Sequence, residues 1–166
     1  MKKQGFTLIE LLVVIVIMGI LSAVAVPKLF GMIAKSKASE LGFAAKTYIK
    51  LQDAYVGERH QIGSWSLISY FGPGTKVSTD SSRTNVFGYG GGDLKGSGAG
   101  ASVSINEASD AKIGWVATSL VRLNDVAVNS SWTIAVSSGD VEHILYSASI
   151  PANAEALTPG FSRLGR

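Results

Sequence analysis

From Phe6 to Val26 the chain is apolar at nearly every position, broken only by Thr7, Glu10, Gly19 and Ser22. A helix over this run is ~31 Å long at 1.5 Å per residue, enough to span a hydrocarbon core. After Pro27 the pattern changes period. Leu41, Ala44 or Ala45, Tyr48, Leu51 and Tyr55 recur at three- and four-residue spacing, while Lys35, Lys37, Lys46, Lys50 and Asp53 supply polar positions between them. That is the pattern of an amphipathic helix with one apolar stripe. Gly57 is the predicted stop, as a C-terminal glycine cap. The two stretches form one helix from Phe6 to Val56, ~75 Å long and far beyond the usual globular length. Pro27 lacks an N–H and predicts a kink or local melting. Gly19 weakens the helix by about 1 kcal/mol relative to alanine. Together they bracket a segment able to extend on packing.

Residues 58–83 read as a connecting region, with turn chemistry at Gly63-Ser64, Gly72-Pro73-Gly74 and Ser78 to Ser82. Trp65 to Phe71 allows a short helix or strand. Five stretches rich in β-branched or aromatic residues follow: Asn85 to Tyr89, Ala101 to Asn106, Lys112 to Ser119, Trp132 to Ser137 and Val141 to Ser147. Ser138-Gly139-Asp140 favours a hairpin between the last two. The expected architecture is α+β: a long N-terminal α-helical spine packed against an antiparallel β-sheet head, a meander of about four strands. Its divisions are a basic segment at 1–5, an apolar half-helix of transmembrane length at 6–27 and an amphipathic half-helix at 28–57. The connecting region at 58–83, the head at 84–150 and an irregular tail at 151–166 complete it.

Composition narrows the function. Mean hydropathy is +0.28, and the excess is concentrated at the N-terminus. Net charge is +3, and loss of Lys2 and Lys3 with a leader leaves +1, so the pI near 9.2 gives no case for nucleic-acid binding. The spaced lysines of the helix read as a solvated face. There is no cysteine, which excludes disulfides, thiol catalysis and thiolate metal sites.

Three readings compete for the N-terminus. A secretory signal peptide has a basic start, an apolar core and a small-residue site such as Ala23-Val24-Ala25, but its core seldom holds a glutamate. A plain transmembrane anchor fits the length, with Lys2 and Lys3 keeping the N-terminus cytoplasmic, but leaves Glu10 unexplained. A carboxylate at membrane depth costs several kcal/mol and must be paired or protonated. The third reading accounts for it. The stretch Gly5-Phe6-Thr7-Leu8-Ile9-Glu10-Leu11-Leu12-Val13-Val14 closely resembles the N-terminal motif of type IV pilins and of the pseudopilins of type II secretion. The resemblance is specific over Gly5 to Pro27. It implies cleavage after Gly5 by a dedicated leader peptidase, N-methylation of the new terminus Phe6, and a role for Glu10 in assembly. Gly19 and Pro27 match family positions that loosen the helix. The amine created at Phe6 lies four residues from Glu10, and in a stagger of helices Glu10 can instead meet a neighbour's amine and fix the register.

The resemblance implies a structural subunit rather than an enzyme, without a cofactor. Its partners are copies of itself in a helical filament, the leader peptidase and N-methyltransferase, and an inner-membrane assembly platform. It crosses the inner membrane once, N-terminus cytoplasmic, before moving to an extracellular pilus. A pseudopilin is the alternative within the family, and a secreted carbohydrate- or surface-binding module is the alternative of another class. Many pilins staple the C-terminal loop with two cysteines; here packing or hydrogen bonds must hold it. No clear match to the calcium loop of the major pseudopilin occurs in the tail. His60 and His143 are isolated, with no metal or triad spacing. Gly88 to Asp93 is one imperfect copy of a calcium-binding glycine repeat, and Gly96 to Gly100 completes no dinucleotide fingerprint. Both read as a surface loop. Trp65, Trp115 and Trp132 either fill the core, the default for tryptophan in strands, or stack on sugars as a polysaccharide-binding surface.

Overall fold

A computed structural model of the chain describes residues 5–94, 102–104, 110–140 and 143–165. One helix, α1 (Leu8–Arg59), runs for 52 residues, about 78 Å. It passes through Pro27 without interruption in its helical assignment. Gly57 lies inside the last turns, not after them. The reversal comes at His60, which takes the left-handed conformation (φ 51°) and donates its backbone N–H to the Val56 carbonyl at 2.9 Å.

The head is larger in strand number than the sequence suggests. Six strands form an antiparallel sheet in the order β2 (Thr75–Ser78), β3 (Ser81–Arg83), β4 (Phe87–Gly90), β6 (Lys112–Ser119), β7 (Ser131–Asp140) and β8 (His143–Ser149). A separate pair joins β1 (Gln61–Gly63) to β5 (Ser102–Ser104). The 58–83 region therefore contributes three short strands, while Trp65 to Phe71 is turns rather than helix or strand. Ser138, Gly139 and Asp140 belong to β7 and are not a turn. Asp140 pairs with His143, and the connecting residues 141–142 lie outside the described residues. So do the Gly96 to Gly100 run and the ends of the Ala101 to Asn106 stretch. Gly88 to Asp93, read as a surface loop, is instead strand through Gly90 and a short 3-10 helix from Gly92, and the Asp93 carboxylate accepts the Ile113 N–H at 2.9 Å.

The sheet lies on the second half of α1. Ala34, Ala38, Leu41, Ala44, Ala45, Tyr48, Gln52 and Val56 are buried, following the 3.6-residue period; Leu51 and Tyr55 are only partly covered. Gln52 is a polar residue on this face. With its amide turned to satisfy both groups, it donates to the Gly63 carbonyl (3.1 Å) and accepts the Gly63 N–H (2.8 Å), fastening β1 to the helix. Gly114 sits at an irregularity of the β6–β7 ladder, and a side chain there would overlap the Tyr48 hydroxyl. Its bareness lets helix and sheet approach closely.

Tyrosine hydroxyls fasten the two layers. Tyr70 donates to the Ala44 carbonyl (3.1 Å) and accepts from Trp115 Nε1 (3.1 Å). Tyr89 donates to the Glu40 carboxylate (2.7 Å), and Tyr146 donates to Asp53 (2.6 Å) and to the Ile49 carbonyl (3.2 Å). Burial pushes the Tyr48, Tyr70, Tyr89 and Tyr146 hydroxyls above their ordinary range, Tyr70 to about 12, and the acceptor carboxylates raise Tyr89 and Tyr146 further. A raised folded pKa means that the folded state holds these protons more tightly than the unfolded chain, whose tyrosines titrate near ~10. The contribution is complete below about pH 10 and is lost as pH rises through the folded values. The urea midpoint of the chain in detergent is expected to be level from pH 8 to 9.5 and to fall steeply above it, as followed by tryptophan fluorescence.

Candidate assembly interface

The first half of α1 has no cover. Every residue from Gly5 to Phe30 is exposed, and the apolar side chains run on through Met32 and Ile33 to the first buried position, Ala34. Phe6 and Leu8 are each 81% exposed. This is the helix that is long and apolar enough to cross a membrane. A continuous apolar surface of this size does not remain in water; it lies in lipid or against other protein.

Local chemistry fixes where the helix starts. Thr7 is the N-cap, with extended backbone (φ −82°, ψ 150°), and Glu10 is the third helical residue. They form a reciprocal capping box. Glu10 Oε2 accepts the Thr7 N–H at 2.8 Å and the Thr7 hydroxyl at 2.6 Å, and Thr7 Oγ1 accepts the Glu10 N–H at 3.3 Å. Both contacts use one carboxylate oxygen; Oε1 has no hydrogen-bond partner among the described residues. The structure thus places Glu10 beside Thr7 and leaves one carboxylate oxygen without a hydrogen bond among the described residues. Thr7 was missed by the sequence reading, although Thr-x-x-Glu before an apolar run is its signal. Gly5 and Phe6 precede the helix and are exposed, so the bond between them is accessible from the side. Gly19 and Pro27 lie in helix on the uncovered half, where a side chain added at Gly19 meets nothing within 4 Å.

Among the described residues no group of three or more His, Asp or Glu is gathered for a metal. His60 ends the helix and His143 starts β8. Trp65, Trp115 and Trp132 are at most 1% exposed, so none of them is a sugar-stacking platform. Asp53, read as polar surface of the helix, is exposed and accepts the Tyr146 hydroxyl.

The tail from Pro151 is held without a covalent link. Ala154, Leu157, Thr158 and Phe161 are buried. Trp132 Nε1 donates to Thr158 Oγ1 (3.0 Å), which donates to the Ala154 carbonyl (3.2 Å), and Phe161 stacks obliquely on Trp115 with centroids 6.0 Å apart.

Comparison with known proteins agrees with this geometry. The model of the prokaryotic N-terminal methylation motif matches residues 1–26. Over 88 residues the chain is 33% identical to the type IV major pilin protein PilA of Myxococcus xanthus (strain DK1622). The aligned part is 53% of this chain and 36% of that protein, so the chain spans about a third of the curated relative it matches. No solved structure matches. The chain therefore carries the prokaryotic N-terminal methylation motif and is distantly homologous, over 88 residues, to a type IV major pilin.

Proposed function

We propose that the chain is the subunit of an extracellular type IV pilus. The observation that carries this reading is the uncovered apolar half of α1, preceded by an accessible Gly5–Phe6 bond and holding a carboxylate with one unused oxygen. A leader peptidase cuts after Gly5 and the new Phe6 amine is methylated. Before assembly the Phe6–Val26 segment crosses the inner membrane once, with the head outside. An assembly platform then extracts the subunit, and the same apolar surface packs against other copies. In that dry environment Glu10 neutralises the Phe6 amine of its own or a neighbouring subunit, and Gly19 and Pro27 let the helix adjust. The 33% identity to a major pilin favours a pilus over a secretion pseudopilus.

The test has two parts. Mass spectrometry of the mature chain should show a start at methylated Phe6; a start near Val26 would mean signal-peptidase release and end this reading. Electron microscopy of sheared surface material should show long fibres built of this chain. Their absence, with a protein-secretion defect on deletion, would instead make it a pseudopilin.

A further inference from the structure

Two complementary features lie on opposite flanks of α1 at the same height. On one flank Phe43 and Phe71 are 75% and 72% exposed. With Pro73 they line one shallow hollow beside Glu40. Glu40 accepts from Tyr89 and Thr84 through Oε1 alone, leaving Oε2 without a partner among the described residues. Lys76 lies over the Phe71 ring, 5.4 Å from its centroid, and leaves Phe43 unshielded. On the other flank a groove of about 250 Å³ runs between α1 and the tail. Gly42, Leu157, Pro159 and Phe161 line it, together with the exposed Lys35 and Lys46. At 3.6 residues per turn, Lys35, Ser39, Gly42 and Lys46 share one ridge, Glu40, Phe43 and Thr47 the other, and the buried row of Leu41, Ala45 and Tyr48 separates them.

Gly42 has no role inside the subunit that explains it. A side chain there meets nothing within 4 Å, and glycine weakens a helix interior. The bareness leaves the groove wall open to something that enters from outside.

We propose that the Phe43–Phe71 patch of one copy seats in the groove between α1 and the tail of a second copy. The apolar faces match in kind, a phenyl ring is smaller than the groove, and the groove's lysines meet the free oxygen of Glu40 beside Phe43. Because patch and groove are different surfaces, the contact is head-to-tail around the axis and does not close as a dimer. Repeated, it generates an open helical array. The inference rests on the filament reading above and adds the contact between heads that the N-terminal helix alone does not specify.

The chain has no cysteine, so engineered thiols report cleanly. One subunit carrying Gly42→Cys and another carrying Phe71→Cys are co-expressed, and the sheared filaments are treated with a short bismaleimide. The expected result is a crosslinked dimer from mixed filaments and at least tenfold less from filaments of either variant alone. Mixed filaments that form without the dimer overturn the head contact but leave the pilus reading standing. If the wild-type chain forms no filaments at all, the pilus reading fails and this contact falls with it. A second variant, Gly42→Leu, fills the groove while improving helix propensity. Its head should melt at an unchanged or higher temperature while filament yield drops at least tenfold; normal yield overturns the proposal.

Discussion

Glu10→Ala is expected to leave the chain inserted in the membrane and processed, yet almost absent from sheared filaments. The alanine keeps the helix apolar and removes nothing that the head needs, because Glu10 touches only Thr7 among the described residues. In the proposed filament, what it removes is the countercharge of the buried Phe6 amine. Leaving one member of a buried pair alone costs about 3–5 kcal/mol, or roughly 100- to 4000-fold in an equilibrium constant. The capping box supplies the control. Thr7→Val deletes the hydroxyl but keeps the backbone N–H and the carboxylate charge, so it costs only about 1 kcal/mol of cap. Glu10→Gln keeps a carbonyl oxygen for the Thr7 N–H but not the charge. If charge pairing drives assembly, Glu10→Gln resembles Glu10→Ala and Thr7→Val stays near wild type. If the cap is what matters, the order reverses. Immunoblots of sheared filament against the membrane pool separate the two.

The helical spine was legible in the sequence because both of its halves are periodic over long stretches, and long periodicity survives local noise. The apolar stripe was readable through Leu41, Ala45 and Tyr48. Beyond that point a 3.6-residue period carries the buried face to Gln52 and Val56, and a buried glutamine is not legible as core without its partner Gly63. The helix stop was misplaced for a related reason. Gly57 accepts helical angles like any residue, and the chain reverses where β1 must begin, at His60. Strands β2 and β3 were missed because Thr75–Ser78 is exposed at every position and Ser81–Arg83 is polar; pairing of β2 with β3 and of β3 with β4, not composition, makes them strands. Of the candidate site, Gly5, Phe6 and Glu10 were legible from the motif. The Glu40–Tyr89 and Asp53–Tyr146 contacts were not, because each joins residues at least 49 positions apart.

The fastening of the tail makes the second large prediction. Trp132 is fully buried and packs edge-on against Phe87, with centroids 5.7 Å apart and planes at 88°. Its indole N–H is also the hydrogen bond that reaches Thr158 from the sheet. Trp132→Ala empties the largest kind of side-chain volume and removes the donor to Thr158, whose hydroxyl keeps only its bond to the Ala154 carbonyl, for a loss of about 3–5 kcal/mol. For a head of this size each kcal/mol moves the melting midpoint by roughly 4–8 °C, so the midpoint should fall by more than about 12 °C. Trp132→Phe keeps most of the ring packing and loses only the donor. It should cost appreciably less, and its effect should concentrate in the tail. Limited proteolysis distinguishes the two: cleavage between Pro151 and Leu164 should accelerate in both variants, while cleavage within β6 and β7 should accelerate only in Trp132→Ala. Equal protection of the tail in Trp132→Phe and wild type would mean that burial of Leu157 and Phe161 alone holds the loop, and that the indole hydrogen bond is incidental to the closure a disulfide provides in related folds.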